Sequence, residues 1–474
     1  MPNAHLLWSV ELQHGKRYRQ LIEHIKRGIT TGLWSSGDRL PSSRQLGAML
    51  GISRTTTSRA YDHLIAEGFL VSEPKRGVRV ADTRWAVALP KKTRPLLAPA
   101  RHDIRCDSGA DSTVFPARQW AASMRRAWVK PDTQLLEGRY TTGYPLLKEA
   151  IADYLQRSCG LDCIAEQILV TAGNRDALVL LQHALESVVP NAQWWLEDPS
   201  YGPMRTLLQQ RRRGVQCLPV DDEGAQLPLA SVRPQVALLT PNRQYPLGMS
   251  MSSARRQAWL QTLQEQNLWV IEDNYDTEFT YQGRPQLPLM QADHQDRIAL
   301  VGSFSKVLFR GLRLGYVVVP LSWVDSMARS QRALGGSAAL PVQPVLADFM
   351  LNGSFDRHLN RMRRHYREKR DVLLSLLAEH LSPWLDWQSP SGGMHVRASI
   401  KPAWLARRRE PSSGCWDQQI AQRLLTQGIE LNVLSAHYQN VSTAQQGFVL
   451  GFSQPSQDDM VHIVKALAAE FAVT

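Results

Sequence analysis

Apolar residues follow two different spacings along the chain. Up to residue 80 they recur three or four positions apart, as in Leu21, Ile25 and Ile29, which predicts amphipathic helices. From about residue 165, short apolar runs such as 167–171 alternate with helical stretches, as is typical of an α/β fold. Residues 81–105 are rich in Pro and Ala and follow neither spacing. The pattern predicts a helical N-terminal domain, a linker stiffened by prolines and a large α/β body.

The N-terminal domain is predicted to contain three helices and a small hairpin. The helices are predicted at 18–30, 42–50 and 53–67, and the strands at 69–71 and 78–80. The third helix carries Arg54 and Arg59 before any acidic residue, so its start can face phosphates and base edges. The turn Pro74–Gly77 is a basic tip that can lie along or in the minor groove.

Charge separates the same two regions. The chain has 474 residues and a net charge of +12, but residues 1–105 hold 18 Lys and Arg against 8 Asp and Glu. The remaining 369 residues hold 37 against 35, so almost all of the excess lies at the start. A polyanion is therefore the expected partner of the first hundred residues.

Composition argues against several other classes of protein. No apolar run approaches the roughly 18 residues of a membrane span, and residues 1–13 lack the pattern of a signal peptide, so we expect a cytoplasmic protein without membrane contact. The five cysteines are scattered and lack histidine partners, which favours reduced thiols over disulfides and predicts no metal site.

Lys306 is the candidate centre of the body's chemistry, in the stretch GSFSKVLFRGLRLGY (302–316). A lysine at the end of a buried strand loses hydration, which lowers its pKa and favours the neutral amine that attacks an aldehyde. Ser303, Ser305 and Arg313 can hold a phosphate. The combination suggests pyridoxal 5'-phosphate (PLP) held on the lysine as a Schiff base.

Four further strand ends carry residues typical of a binding site, at 172–176, 198–202, 241–248 and 272–276. Gly173 lies at a strand-to-helix corner whose amides suit a phosphate, and Tyr201 can stack on a planar ring. Because ligands bind at the carboxyl ends of strands in open α/β sheets, we expect all five loops at one edge.

The N-terminal domain resembles the winged helix-turn-helix of the GntR superfamily, through the pattern GDRLPSSRQLGAMLGISRTTTSRAYDHLIAEGFL (37–70). The resemblance implies binding to double-stranded DNA. The implied contact residues, together with their neighbours on the third helix and the basic tip, are Arg44, Arg54, Thr55, Thr56, Arg59, Lys75, Arg76 and Gly77.

The body resembles fold-type I PLP enzymes as they occur in MocR-type regulators, which join a GntR-like head to an aminotransferase-like body. The motifs, in order, are YTTGYPLLKEA, TAGNRDAL, EDPSY, TPNRQYPLG, EDNYDTEF, GSFSK and SGGMH. The resemblance implies a mixed central sheet with flanking helices and a smaller C-terminal α+β domain. The implied organisation is 1–80 for the DNA-binding domain, 81–105 for the linker and 106–474 for a PLP-binding, effector-sensing and dimerising body.

The resemblance also implies a role for each site residue. Lys306 would hold PLP, Asp273 would pair with the pyridine nitrogen, and Tyr275 would hydrogen-bond the ring hydroxyl. Asp276 is a rival to Asp273 because of the local run of acids. Tyr201 would lie against the ring. The phosphate would be bound by Gly173, Asn174, Ser303, Ser305 and Arg313.

The chain departs from the family pattern near the site. Arg175, Arg243 and Lys148 stand where a glutamine, a histidine and an arginine are usual. Related aminotransferases anchor the substrate carboxylate with an arginine in the small domain, but residues 430–453 contain none. Arg397 is a candidate substitute on a predicted strand.

We therefore expect a PLP-dependent transcriptional regulator whose body senses PLP or an amino compound. It is expected to act as a homodimer, with a head-to-tail, domain-swapped arrangement as one form. Two alternatives remain open, namely an active aminotransferase with an accessory DNA-binding head and a DNA-binding protein whose body has lost PLP and only dimerises. The basic run 357–370 is expected to be a solvated face, with contact to DNA or a partner subunit as the alternative.

Overall fold

The computed structural model describes residues 17–73, 77–82, 104–210, 214–229, 235–266, 268–283, 285–408, 414–440 and 443–473. The chain divides into two compact units, Met1–Pro99 and Ala100–Thr474. Lys75 and Arg76 of the predicted basic tip, and residues 83–103 of the predicted linker, lie outside the described residues.

The first unit is a three-helix domain with a hairpin. Its elements are α1 (Arg17–Thr30), α2 (Ser43–Leu50), α3 (Arg54–Ala66), β1 (Leu70–Glu73) and β2 (Gly77–Val80), and the two strands are antiparallel. Ser42 and Gln45 form a capping box at the start of α2, and Gly51 ends this helix in the left-handed conformation. Ser53 caps α3 by accepting from the Thr56 amide at 3.0 Å. The predicted winged helix-turn-helix is therefore present.

The second unit begins with β3 (Ile104–Arg105) and contains an eight-stranded mixed sheet in the order β4-β11-β10-β9-β8-β5-β6-β7. These strands are β4 (Ile168–Thr171), β5 (Gln193–Asp198), β6 (Val215–Asp221), β7 (Gly224–Ala225), β8 (Gln235–Leu239), β9 (Leu268–Asn274), β10 (Ile298–Ser303) and β11 (Gly315–Val318). Strands β6, β5, β8, β9 and β10 are parallel, whereas β11 is antiparallel to both of its neighbours, β10 and β4. The carboxyl ends of β4, β5, β8, β9 and β10 therefore meet at one edge, as predicted.

Helices cover both faces of this sheet. They are α4 (Ala117–Val129), α5 (Thr133–Leu136), α6 (Pro145–Cys159), α7 (Asn174–Val188), α8 (Gly202–Gln210), α9 (Ser253–Glu265), α10 (Val324–Ala333), α11 (Gln343–Leu351) and α12 (Ser354–His380). Leu178 of α7 packs with Val301 and Val317 on one face, while Ile151 of α6 packs with Leu300 and Val318 on the other. None of the helices within the described ranges is long and apolar enough to cross a membrane.

A smaller α+β part follows α12, as predicted. It comprises β12 (Leu385–Trp387), β13 (His395–Ile400), α13 (Pro402–Leu405), α14 (Trp416–Thr426), β14 (Ile429–Glu430), β15 (Gly447–Gly451) and α15 (Gln457–Val473). Strands β12, β13 and β15 form an antiparallel sheet, and β14 pairs in parallel with β3. Ile104 and Arg105, the last two residues of the predicted linker, are therefore paired with the body.

Strand β9 is longer than the hydrophobic run 268–271 indicated. Glu272 pairs with Leu239 and Asp273 with Val301, so the ladder continues through Asn274. The acidic residues were expected after the strand, but two of them belong to it because both neighbouring strands supply partners. Hydrogen bonding, which hydropathy does not report, sets the length of this strand.

The basic run on α12 is mostly engaged inside the body. Arg361, Arg363 and Arg367 donate to the carbonyls of Val114, Glu278 and Tyr281. Arg370 is buried, donates to the carbonyl of Pro390 and lies 4.8 Å above the Tyr281 ring. The predicted solvated face holds for exposed residues such as Arg364, but four arginines of the run attach α12 to other elements.

Candidate functional site

A cavity of about 490 Å³ lies at the edge of the sheet where the parallel strands end. All nine predicted cofactor residues line it: Gly173, Asn174, Tyr201, Asp273, Tyr275, Ser303, Ser305, Lys306 and Arg313. Its wall also includes Arg105, Cys106, Asp107, Ser108, Arg175, Thr240, Tyr245, Arg310, Glu430, Leu431 and Asn432. The volume is within the range typical of small-molecule sites.

Lys306 follows β10 and is half-buried at the base of this cavity. Its Nζ donates to the carbonyl oxygen of Ser108 at 2.7 Å and to the Ser108 hydroxyl at 3.0 Å. Desolvation lowers the pKa of Lys306, although the charges of Asp276 and Asp107 act in the opposite direction. The amine is therefore closer to its neutral, nucleophilic form than a solvated lysine would be.

The two rival carboxylates occupy different environments. Asp273 lines the cavity and accepts from Asn174 Nδ2 at 2.5 Å. Burial, with a contribution from the charge of Glu197, raises the pKa of Asp273 to about 7. Asp276 is outside the cavity lining, buried, and paired with Arg243 Nε at 2.9 Å. Of the two, Asp273 is the carboxylate available to a ligand.

Arg243, which stands where the family usually has a histidine, forms a buried ion pair with Asp276. Arg243 is only 6 % exposed and packs beside Gly392 and Gly393 of the SGGMH motif. A Cβ at Gly392 would lie 2.3 Å from Arg243 Nη2, so a larger residue there would collide with the guanidinium. The two glycines thus leave room for the arginine that holds Asp276 away from the cavity.

One end of the cavity is suited to an anion. Gly173 has a φ of +99° and precedes α7, and a Cβ built on it would meet no atom within 4 Å. The start of α7 therefore borders open space, and the first-turn amides of a helix suit an anion. Arg175 and Arg313 are exposed and have no hydrogen-bond partner within the described ranges. Ser303, whose hydroxyl accepts from the Ser305 amide at 3.2 Å, completes this end.

Three tyrosines form an aromatic wall. Tyr245 packs edge to face against Tyr201 at 5.6 Å and against Tyr275 at 5.9 Å between ring centroids. Tyr201 remains 43 % exposed, so its ring is accessible to a ligand. The Tyr275 hydroxyl is buried and has no hydrogen-bond partner in the described part of the chain. An unpaired buried hydroxyl beside a cavity indicates a site for a ligand's polar atom.

Arg397 does not line the cavity, and β15 brings no arginine to it. Arg397 is half-buried on β13, opposite Val449 of β15. Val449 packs with Tyr245 and Leu434, so this face is apolar. The expectation that Arg397 replaces the missing arginine therefore has no support from its position.

The predicted DNA-contacting residues occupy two helices and the hairpin. Arg44 is exposed on α2, Arg54, Thr55 and Arg59 are exposed on α3, and Gly77 begins β2. The Arg59 guanidinium lies 5.5 Å from the centroid of the Tyr18 ring, which supports it from below.

Thr56, also predicted to contact DNA, is half-buried, and its hydroxyl is 2.8 Å from that of Ser53. This threonine therefore also takes part in the start of α3.

Motif spacing missed Asp107, Ser108, Tyr245, Arg310 and Asn432. Ser108 reaches Lys306 across 198 positions, and Asp107 reaches Arg310 across 203. Tyr245 was inside a predicted loop, and Arg310 was inside the lysine stretch, so proximity to a motif was the only available signal. Residues 107 and 108 lie in a segment without regular structure and gave no local signal.

The chain matches known families over both of its parts. Residues 17–80 match the family described as bacterial regulatory proteins, gntR family, and residues 110–466 match the family described as aminotransferase class I and II. The two matched stretches occur in the predicted order.

Full-length relatives show the same combination. The chain is 32 % identical to the probable rhizopine catabolism regulatory protein MocR of Rhizobium meliloti, over 96 % of this chain and 93 % of that protein. It is 31 % identical to the HTH-type pyridoxine biosynthesis transcriptional regulator PdxR of Corynebacterium glutamicum, over 93 % of each.

Solved structures share the fold of the body. An archaeal alanine:glyoxylate aminotransferase superposes with a TM-score of 0.69 at 23 % identity, over 78 % of this chain and 90 % of that chain. A kynurenine aminotransferase from Pyrococcus horikoshii superposes with a TM-score of 0.67 at 21 % identity, over 79 % and 92 %. At this level of identity the likeness shows the fold alone.

Proposed function

The chain belongs to the MocR-type subfamily of GntR regulators, as its motifs predicted, and from this membership we propose how its two parts act. It is a helix-turn-helix transcriptional regulator with an aminotransferase-like body. We propose that the head binds operator DNA and that the body binds PLP on Lys306. The occupied body would then sense PLP itself or a small amine and change transcription of metabolic genes.

The cavity around Lys306 is the observation that carries the PLP proposal. Among the residues that the structure describes, it combines a desolvated amine, a half-buried carboxylate, a buried hydroxyl without a hydrogen-bond partner and a helix start with two arginines that also have none. These groups match the aldehyde, the pyridine nitrogen, the ring hydroxyl and the phosphate of PLP. Each polar part of the cofactor thus has a complementary group, so the residues present fit it.

Each residue would then have a distinct task. PLP, when bound, supplies an aldehyde that condenses reversibly with amines and a ring that withdraws electrons. Lys306 would hold the aldehyde carbon, and Asp273 would keep the pyridine nitrogen protonated. Tyr275 would donate to the ring oxygen, and Tyr201 would lie along the ring face. The phosphate would be bound by Gly173, Asn174, Ser303, Ser305 and Arg313.

Asp273 gives this assignment a thermodynamic basis. Burial, with the nearby charge of Glu197, disfavours its charged form and raises its pKa to about 7, although the charge of Lys306 acts in the opposite direction. A pyridinium beside it would favour the carboxylate and remove that penalty. The pairing would therefore stabilise both the cofactor and the strand end that carries Asp273.

For the head, we propose that α3 reads base edges in the major groove and that the hairpin contacts the backbone. One winged helix offers few contacts, so a homodimer that binds two half-sites is part of the proposal. We further propose a DNA-binding domain at 1–80, a linker from residue 81, a body that includes Ile104 and Arg105 because they pair with β14, and a cytoplasmic location. The names of MocR and PdxR, which refer to rhizopine catabolism and pyridoxine biosynthesis, suggest that the effector belongs to the catabolism or biosynthesis of a small molecule.

Replacing the lysine tests the proposal directly. The parent chain, incubated with PLP and reduced with borohydride, should carry PLP on the peptide that contains Lys306, detected by mass spectrometry. Lys306→Ala should lose both this adduct and the visible absorbance because the attacking amine is gone. Lys465→Ala, which removes an exposed lysine of α15, should retain both.

PLP found on another lysine, or no binding by the parent, would contradict the proposal. A panel of amino donors should show no turnover by the PLP-loaded parent. Sustained transamination would instead favour the active aminotransferase with an accessory head.

A further inference from the structure

An arginine and an aspartate face each other at the rim of the Lys306 cavity. Arg310 Nη2 donates to Asp107 Oδ1 and Nη1 contacts Oδ2, each at 2.6 Å. This two-pronged geometry is the one with which arginine recognises carboxylates. The side chains are 54 % and 28 % exposed, so a small molecule entering the cavity can reach them.

The pair lies next to the reactive lysine. Ser108, the residue after Asp107, accepts both hydrogen bonds of Lys306 Nζ. The charges of Asp107 and Arg310 both act on the pKa of Lys306, in opposite directions. A ligand whose amine approaches Lys306 would therefore have the Arg310 guanidinium within reach of its other end.

The other arginines of the cavity are less suited to a second acidic group. Arg175 and Arg313 flank the open start of α7, where the proposed phosphate would engage them. Arg105 makes a single 2.7 Å contact with Glu430. In the small domain, Val449 of β15 packs in an apolar cluster, and Arg397 does not line the cavity. Neither β13 nor β15 therefore brings an arginine to the cavity.

We propose that Arg310 is the residue that binds the carboxylate of the effector, and that Asp107 occupies its guanidinium until the ligand displaces it. The inference rests on the proposed function, because it requires an amine effector beside Lys306. It assigns the ligand class as an amine that also carries a carboxylate. Asp107 acts as an internal competitor that lowers affinity for this class.

Electrostatics is consistent with such an exchange. Burial opposes ionisation of Asp107, but hydrogen bonds from Arg310 and the charges of Arg310 and Lys306 lower its pKa overall. Asp107 is therefore a carboxylate at neutral pH, as the incoming group would be. One carboxylate would replace another on the same guanidinium, without leaving Arg310 unpaired.

The test compares amino acids with the amines that lack their carboxylate. Full-length, PLP-loaded protein is titrated by calorimetry with L-alanine, β-alanine and L-norvaline, and with ethylamine and n-butylamine. The parent should bind at least one amino acid more tightly than its matched amine. Arg310→Leu should reduce that affinity by on the order of 10- to 100-fold, to the level of the amine, because a charged two-pronged contact is lost.

Asp107→Asn should act in the opposite direction. Removing the competing charge should strengthen amino acid binding several-fold relative to binding of the matched amine, a ratio in which any effect of the charge on Lys306 cancels. A purely structural role of the pair would instead make both variants weaker, so the opposite signs distinguish the two explanations.

Arg126 and Asp348 provide a matched control. They form an equally two-pronged pair, with a shortest contact of 2.6 Å and side chains 53 % and 26 % exposed, but they do not line the cavity. Arg126→Leu and Asp348→Asn should leave every affinity unchanged.

The outcomes separate this inference from the proposed function. If the parent does not load PLP, the proposed function fails first. If it loads PLP but shows no preference for amino acids, or if Arg310→Leu keeps the parent's preference, only the role of Arg310 is overturned. PLP absorbance is therefore measured for every variant before titration.

Discussion

Helices α3 and α12 are both rich in arginine, but their arginines have different surroundings. On α3, the exposed side chains of Arg54 and Arg59 have no hydrogen-bond partner within the described ranges, and the Arg59 guanidinium lies over the Tyr18 ring. On α12, Arg363 donates to the carbonyl of Glu278, and Arg370 is buried over the Tyr281 ring. The same side chain is available to an external anion in one helix and engaged within the fold in the other.

This difference shows that a run of positive charge does not by itself identify a nucleic-acid surface. Sequence 357–370 contains more basic residues than α3 does, yet most of its guanidinium groups satisfy backbone carbonyls. An arginine in such a position contributes to stability and has fewer donors left for a phosphate. What distinguishes the two helices is whether the donors are already used.

The largest effect that would test this contrast is expected at Arg370. Arg370→Ala removes a hydrogen bond to Pro390 and a cation–π contact with Tyr281, so it should lower the free energy of unfolding by about 3 kcal/mol. Urea denaturation measures this change. Arg364→Ala, an exposed change on the same helix, should stay within about 0.5 kcal/mol. If Arg370→Ala instead lost affinity for DNA and kept its stability, the conclusion that the α12 arginines serve the fold and not DNA binding would be wrong.

A somewhat smaller effect is expected on α3. Arg54→Ala should weaken binding to a duplex selected from a random library by about 1 to 3 kcal/mol, and binding to unselected duplexes by less, since a base contact carries the discrimination. Fluorescence anisotropy at fixed salt measures both affinities, with Arg364→Ala as the control. Equal losses on both kinds of DNA would mean that α3 is only an electrostatic anchor.

The smallest effect concerns histidines, because a buried histidine and an exposed one should also differ in how readily they are protonated. His437 in the body is buried and donates from Nδ1 to the Ser200 carbonyl at 3.2 Å, and burial lowers its pKa to about 4. Because this value is below the usual 6.5, the folded state resists protonation. Its contribution to stability is complete above pH 6.5 and is lost as the pH falls towards 4.

The free energy of unfolding of the parent should fall as the pH is lowered from 6.5 to 5. His437→Gln should make this fall smaller by about 1 kcal/mol per pH unit. His462→Gln, an exposed change on α15, should leave the decrease as it is in the parent. Unfolding curves collected at several pH values provide the comparison. An unaltered slope in His437→Gln would mean that this histidine takes up protons as readily in the folded as in the unfolded protein.

The nine residues proposed to bind PLP could be placed at one cavity from the sequence because each lies beside a buried strand. Gly173, Tyr201, Asp273 and Lys306 follow or end short apolar runs, and parallel strands bring their carboxyl ends to one edge. The fold followed from the same alternation of strands and helices. The length of β9 and the burial of Arg243 could not be read in this way, because both depend on partners in other elements.

By itself, the sequence determined the two-part organisation, the helix-turn-helix, the edge of the sheet that carries the site and nine of the residues that line it. These features depend on local periodicity, capping and charge, which neighbouring residues encode. Only the tertiary structure decided which basic residues remain available, that Asp276 is paired with Arg243, and that Asp107 and Ser108 meet Arg310 and Lys306. These contacts join residues far apart in the chain, so no local pattern specifies them, and they form only when the strands and helices pack.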